Sequence, residues 1–94
     1  MEDTLWYLLA SSRGGPTRVA LLRALDERPR NANQLAEELD VDYTTVRHHL
    51  DILLENNLVR RIGDDYGALY RFTDQLEANR ETLEEVLAVV DDDA

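Results

Sequence analysis

The feature that most constrains the fold is a short connection, Asp40-Val41-Asp42, between two segments with helical periodicity. The first segment is QLAEEL, at residues 34–39, and the second runs from residue 43 to about residue 56. In both segments apolar residues recur every three or four positions, which is typical of a helix with one buried face. Two helices joined by so tight a turn are the parts of a helix-turn-helix unit.

Polar residues stand where these two helices should begin and end. Asn33 is predicted to cap the first helix, because its side chain can accept a hydrogen bond from a free backbone N–H. Asp42 can do the same for the second helix. Asn57 is predicted to end that helix, since asparagine tolerates the left-handed backbone found at many helix ends.

Two strand-like runs follow the second helix. They are LVRRI at 58–62 and ALYRF at 68–72, and the intervening GDDYG has glycine at both ends. This pattern predicts a β-hairpin. A two-stranded hairpin directly after a helix-turn-helix is the wing of a winged helix-turn-helix.

The fold class is therefore mainly α with a small β-hairpin, and the chain is long enough for one domain with a modest core. A short extended piece is expected at Arg30-Asn31-Ala32, after a helix that starts at Pro16 and stops near Arg28. The single domain at 1–94 is predicted to divide into an N-terminal helix at 1–13, a winged helix-turn-helix core at 16–72, a C-terminal helix at 74–90 and an acidic, solvated tail at 91–94.

The helix at 43–57 has two different faces. Its apolar side chains fall on one side, and its polar side chains fall on the other, at steps of three and four. The buried side is predicted to contain Val46, Leu50, Leu53 and Leu54, and the outward side Thr44, Arg47, His48, Asp51 and Glu55. Arginine can pair with guanine, threonine can bond a base or contact a thymine methyl, and histidine can donate to a purine. Tyr43, Thr44 and Thr45 can also bond phosphate oxygens near the helix start. The outward face is thus a candidate for reading DNA, although a solvated helix surface has the same polarity.

His49 is expected to have a structural role, because it lies off the centre of the outward face toward the core. Adjacent positions of a helix point about 100° apart, so His48 and His49 cannot easily converge on one metal ion. Two histidines without cysteine also fall short of a zinc site. No metal or cofactor is predicted.

PTRVALLRAL and NANQLAEELDVDYTTVRHHLDILLENNLVRR resemble the ArsR-type winged-helix regulators, and the second stretch is closer still to small archaeal winged-helix regulators. The resemblance covers residues 16–72. It implies a transcriptional regulator that binds double-stranded DNA, with terminal helices that form a dimer interface. By this resemblance, the family's DNA-reading positions correspond to Tyr43, Thr44, Thr45, Arg47 and His48. The family's wing contacts with DNA correspond to Arg60, Arg61 and Arg71. The chain departs from the metal-sensing members, since it has no cysteine pair before the turn and no histidine in the last helix.

The overall negative charge opposes this interpretation, because DNA is also negatively charged. The net charge is −10, with twenty acidic residues against ten basic ones, and every basic residue is arginine. Such a composition suggests a halophilic host, where molar salt shortens the Debye length to about 3 Å. Residues 43–72 are nevertheless neutral, while residues 73–94 carry eight acids and one arginine. The proposed DNA face is therefore the least acidic part of the chain.

Two apolar stripes on the terminal helices predict a homodimer, which reading two half-sites requires. The predicted interface consists of Leu5, Trp6, Leu9, Leu76, Leu83, Val86, Leu87 and Val90. The alternative is that the two stripes cover each other within one monomer.

Other functional classes fit less well. A protein-binding winged-helix adaptor without DNA-binding activity is the rival function, favoured by the acidity. An enzyme is not expected, because the chain has no glycine-rich phosphate loop and no nucleophile with a credible base. No apolar run approaches the ~18 residues of a membrane span, and no signal peptide is evident, so a cytoplasmic protein is expected.

Overall fold

The structure, a computed structural model, describes residues 1–64 and 67–92. An N-terminal helix and a second helix precede the helix-turn-helix, two strands follow it and form a three-stranded sheet with a short strand before it, and two further helices end the chain. The elements are α1 (Glu2–Leu5), which continues as a π-helical segment (Trp6–Ser11), α2 (Gly15–Glu27), β1 (Arg30–Asn31), α3 (Ala32–Leu39), α4 (Tyr43–Glu55), β2 (Val59–Ile62), β3 (Leu69–Phe72), α5 (Asp74–Ala78) and α6 (Arg80–Asp92).

The start of α2 depends on close packing against the N-terminal helix. A Cβ atom added at Gly15 would lie 2.5 Å from the backbone carbonyl oxygen of Leu9, a distance that van der Waals contact forbids. Pro16 follows at the second helical position, where its missing N–H removes no helical hydrogen bond. Glycine and proline together therefore fix where this helix begins.

The helix α3 begins earlier than the sequence predicted. Asn31 is its N-cap, not Asn33: the Asn31 side chain accepts a hydrogen bond from the backbone N–H of Gln34 at 2.8 Å. The Gln34 side chain accepts one in return from the backbone N–H of Asn31 at 2.9 Å. The prediction of Asn33 as the cap is wrong, because only the residue three before Gln34 can form this reciprocal capping box.

The ends of α4 are as predicted. The Asp42 carboxylate accepts hydrogen bonds from the backbone N–H groups of Thr44 at 3.0 Å and Thr45 at 3.3 Å. At the other end Asn57 adopts the left-handed conformation, with φ of 59°. The tight turn before α4 also uses a left-handed residue, Asp40, with φ of 54°.

The sheet has one strand more than the predicted hairpin. Its order is β1-β3-β2, with antiparallel pairing throughout. The added strand β1 is the extended piece expected near residue 31. Val59, Tyr70 and Phe72 are buried in the core, so the alternate positions on β2 and β3 face away from it. The predicted turn between the strands lies partly outside the described residues, since residues 65 and 66 are not described.

The last segment forms two helices where one was predicted. Thr73 caps α5 by accepting a hydrogen bond from the backbone N–H of Leu76 at 3.0 Å, and Asn79 separates α5 from α6. The helix α6 continues to Asp92 and so includes the first residues of the predicted acidic tail. Within it the Asp91 carboxylate pairs with the Arg23 guanidinium at 2.7 Å.

The predicted dimer interface needs correction. The N-terminal helix packs against α6, so the two terminal stripes cover each other within the chain, as the monomer alternative required. Five of the eight predicted interface side chains are buried in the protomer's own core and cannot contact a partner: Leu5, Leu9, Leu76, Leu83 and Val86. The other three, Trp6, Leu87 and Val90, are only partly buried. No helix in the described ranges is long and apolar enough to cross a membrane.

Candidate nucleic-acid interface

The outward face of α4 presents polar side chains to solvent. Val46, Leu50 and Leu53 are fully buried beneath the helix, while Thr44 and His48 are exposed on its outer side. Thr45, Asp51 and Glu55 are exposed as well. The predicted orientation of this helix is therefore confirmed, except that Leu54, predicted on the buried side, is only partly buried.

The backbone at the start of α4 is already partly occupied. Because Asp42 accepts hydrogen bonds from the N–H groups of Thr44 and Thr45, those two groups are not free for a phosphate. The threonine hydroxyls, both on exposed residues, are the groups that this turn can offer to DNA.

Arg47 lies differently from its neighbours on the helix. It is half-buried, and its guanidinium donates a hydrogen bond to the Tyr43 hydroxyl at 3.2 Å and lies 6.0 Å from the centre of that ring. Its Nε–H is buried and has no hydrogen-bond partner among the described residues. The Tyr43 hydrogen bond is the largest cause that raises the pKa of Arg47, with a smaller contribution from Asp51. Arg47 thus keeps its positive charge and one unused hydrogen-bond donor, the Nε–H, and it faces the wing side of α4.

The wing carries a pair of arginines directly opposite each other. Arg60 on β2 pairs in register with Arg71 on β3, and both are exposed on the face that points away from the core. Like charges opposite each other in a sheet destabilise it. Arg61 is also exposed and lies next to Arg47 in a pocket between α4 and the wing. The wing therefore concentrates positive charge that the fold itself does not need.

Most of the arginines elsewhere in the described residues are ion-paired, and the exceptions are the exposed Arg13 and the buried Arg18. Arg23 pairs with Asp91 at 2.7 Å, and Arg80 pairs with Asp26 at 2.7 Å. Arg28 and Arg30 both pair with Glu38, at 3.2 Å and 2.5 Å. By contrast, none of the four arginines of α4 and the wing forms an ion pair with a described carboxylate: Arg47, Arg60, Arg61 and Arg71. Four of the six arginines without a described carboxylate partner therefore lie on α4 and the wing.

His49 has the structural position that its place on the helix predicted. It is 8% exposed, and its Nδ1 accepts a hydrogen bond from the Arg18 guanidinium at 3.1 Å. Arg18 also donates to the Leu8 carbonyl oxygen at 2.9 Å and to the Ser12 hydroxyl. Burial lowers the pKa of His49, and the charge of Arg18 lowers it further. Because arginine can only donate, Nδ1 is the acceptor and the ring is neutral.

Metal ligation finds no support in the described part of the chain, where no group of three or more histidine or acidic side chains is placed to hold an ion. The polar chemistry of this face is that of hydroxyl, imidazole and guanidinium groups.

A tight helix-turn-helix followed by an arginine-bearing wing defines the winged helix-turn-helix transcription regulators. A family model described as "Bacterial regulatory protein, arsR family" matches residues 15–61. The chain belongs to that family, whose members are DNA-binding transcriptional regulators, and this confirms the resemblance seen in the sequence.

Solved structures share the fold. The transcriptional regulator BldR from Sulfolobus solfataricus has a TM-score of 0.71 at 22% identity, over 98% of this chain and 67% of BldR. The transcriptional repressor BigR from Xylella fastidiosa has a TM-score of 0.66 at 21% identity, over 93% of this chain and 76% of BigR. The YusO protein from Bacillus subtilis has a TM-score of 0.64 at 26% identity, over 78% of this chain and only 52% of YusO. No curated protein matches the chain at the sequence level.

Proposed function

We propose that this regulator recognises specific DNA sequences through the outer face of α4, while its wing contacts the DNA backbone or the minor groove. The observation that carries the proposal is the separation of its arginines. Those on α4 and the wing lack carboxylate partners among the described residues, whereas four of the six others are ion-paired: Arg23, Arg28, Arg30 and Arg80. Unpaired cations beside an exposed helix face are what a polyanion requires.

The proposed contacts divide into two kinds. Thr44, Arg47 and His48 are assigned to base edges, because hydroxyl, guanidinium and imidazole groups match the donors and acceptors of the major groove. The remaining residues position the duplex through its phosphates and sugars, as most protein–DNA hydrogen bonds do. They are Tyr43, Thr45, Arg60, Arg61 and Arg71.

We infer that the working form is a homodimer, since a winged-helix protein reads two half-sites through a two-fold axis. The terminal helices keep some exposed apolar surface outside the core. Tyr7 is 63% exposed and Val89 is 40% exposed, and Trp6, Leu87 and Val90 are partly buried. Sedimentation equilibrium of a Tyr7→Glu, Val89→Glu protein should give a monomer. A protein that remains dimeric would move the interface elsewhere.

We also propose that the protein functions at the high internal salt of a halophilic archaeal host.

 The acidic composition and the absence of lysine support this. Ordinary DNA-binding proteins lose affinity steeply with salt, because binding releases counterions. Here the local face is close to neutral, so we expect base contacts and shape to dominate and the affinity to fall only weakly as KCl rises. A slope of several units per decade of salt would contradict this expectation.

The test replaces Arg47 and His48 by alanine and measures binding to a duplex selected from random sequence, by fluorescence anisotropy in molar KCl. Loss of about 1–3 kcal/mol per base contact, with unchanged folding, supports the proposal. Arg28→Ala is the matched control, because Arg28 is an exposed arginine paired to Glu38 on another side of the molecule. If the wild-type protein selects no DNA sequence, the protein-binding adaptor becomes the better reading.

A further inference from the structure

A pocket of about 310 Å³ opens between α4 and the wing. It lies where the start of α3, the first turns of α4 and the strands β2 and β3 meet. Its lining residues are Ala32, Tyr43, Arg47, Arg61, Asp64, Ala68 and Tyr70. Two of the lining residues are alanines, Ala32 and Ala68, and their short side chains leave this space open.

Two guanidinium groups line this pocket without an ion-pair partner among the described residues. One of them, Arg47, has a buried Nε–H that donates to no described acceptor. A buried donor without an acceptor is costly, and for a charged group the cost is larger still. The pocket therefore contains an unmet requirement for a hydrogen-bond acceptor.

The hydroxyl group of Tyr43 adds a second donor. Its oxygen accepts the hydrogen bond from Arg47, so its own proton remains free to donate. Among the described lining residues Asp64 is the sole carboxylate, against two arginines, which leaves the lining net positive. The lining therefore offers several donors and one excess positive charge, and its Asp64 carboxylate does not accept a hydrogen bond from the Arg47 Nε–H.

We propose that this pocket binds one oxyanion, a phosphate or carboxylate group, held between Arg47 and Arg61. Guanidinium groups bind such oxyanions through paired, charge-assisted hydrogen bonds. The same chemistry has two possible sources, a backbone phosphate of bound DNA or a free organic anion. The first source rests on the proposed function, whereas the second does not. A free anion in this pocket would compete with DNA for Arg47 and would act as an effector.

The first experiment uses the whole chain without DNA. Potassium phosphate and potassium benzoate are titrated at constant ionic strength, set with KCl, while NMR follows the Nε–H signals of Arg47 and Arg61. Three variants separate binding from folding. Arg61→Gln should weaken binding at least about tenfold, as expected for loss of a charge-assisted contact, and Asp64→Asn should tighten it. Arg13→Gln, at an exposed arginine outside the pocket lining, should leave it unchanged.

Opposite effects from two substitutions in one pocket are not expected of a purely structural role. Saturable shifts of both Nε–H signals with either anion, in the absence of DNA, assign the pocket to a free anion. This result stands even if the protein selects no DNA sequence, so it is distinguishable from failure of the proposed function.

The second experiment tests the DNA source. If neither free anion binds, the same Nε–H signals are followed as the selected duplex is added. Shifts that disappear when single backbone phosphates are replaced by neutral methylphosphonates assign the pocket to DNA. The proposal is overturned if these signals respond neither to the free anions nor to the duplex, or if Arg61→Gln and Asp64→Asn change anion affinity in the same direction.

Discussion

Replacing Arg18 by methionine removes the group that joins the N-terminal helix to α4. Arg18 is 4% exposed and donates hydrogen bonds to the Leu8 carbonyl oxygen, the Ser12 hydroxyl and Nδ1 of His49. Methionine keeps an apolar stem of similar length, so the substitution removes the donors with little loss of packing. The expected result is a lower free energy of unfolding.

The magnitude follows from the acceptors that are left behind. A buried polar group that loses its partner costs about 1–3 kcal/mol. Nδ1 of His49 loses the one donor that the structure gives it, whereas the Leu8 carbonyl keeps a hydrogen bond from the Ser12 hydroxyl at 3.2 Å. Removing a desolvated charge recovers part of the loss, and burial already lowers the pKa of Arg18. We therefore expect a net loss of about 1–3 kcal/mol.

Urea unfolding in constant molar KCl, followed by circular dichroism, measures this loss. Arg13→Met is the matched control, because Arg13 is an exposed arginine just before α2, the helix that contains Arg18. A double-mutant cycle with His49→Leu isolates the contact, and residues in one hydrogen-bond network give coupling energies of about 0.5–3 kcal/mol. An Arg18→Met protein as stable as the wild type, or a coupling energy near zero, would refute the assigned role of this network.

Three further substitutions test other contacts. The pKa of His49 is lowered from 6.5 in the folded state, so the unfolded chain binds the proton more readily. The free energy of unfolding should therefore fall as pH drops below about 6.5, by at most ~1.4 kcal/mol per pH unit. Urea titrations of His49→Gln should lack this pH dependence. Gly15→Ala should destabilise by more than about 1 kcal/mol despite the better helix propensity of alanine, since its Cβ meets the Leu9 carbonyl; a stabilised protein in the same assay would show that the backbones are not in close contact. Arg71→Gln should raise the free energy of unfolding by ~0.2–1 kcal/mol, because it relieves repulsion from Arg60, and it should weaken DNA binding. If stability and DNA affinity change in the same direction, the two arginines are not placed opposite each other for DNA binding.

The order of elements could be predicted because it depends on local patterns. Apolar residues three and four apart define α3 and α4, and Asp42 and Asn57 mark the ends of α4 through backbone requirements that act within one turn. The same local reasoning failed at α3, where two asparagines precede the helix. Asn31 and Asn33 are equally good caps in composition, and the position of Gln34 decides between them.

The dimer interface could not be predicted from periodicity alone. An apolar stripe shows that one face of a helix must be buried, but it does not show whether the same chain or a partner buries it. Here Leu83 and Val86 of α6 are covered by the chain's own N-terminal helix and core. A variant with Leu83→Asp would therefore report unfolding, and the exposed Tyr7 and Val89 are the better positions for testing dimerisation.

The details of the site depend on contacts between distant segments. The outward face of α4 follows from helical geometry, but the inclination of Arg47 toward the wing depends on Tyr43 and on the space left by Ala68. Arg18 was missed, although a signal exists. It shares helical spacing with the buried Leu22 and Leu25, and an arginine on an apolar stripe must find acceptors inside the fold.

The arrangement of ion pairs resolves the conflict between acidity and DNA binding. Net charge describes the field far from the protein, but at molar salt the Debye length is only about 3 Å, so a phosphate senses little beyond its immediate neighbours. An arginine already held by a carboxylate, such as Arg23 with Asp91, contributes little to that local field. An unpaired arginine, such as Arg60, contributes its full charge at contact. Under the proposed function, the acids of this chain can keep most of its surface hydrated without weakening α4 and the wing, whose arginines have no described carboxylate partner. We therefore expect the pairing of each arginine, and not the total charge, to determine DNA binding.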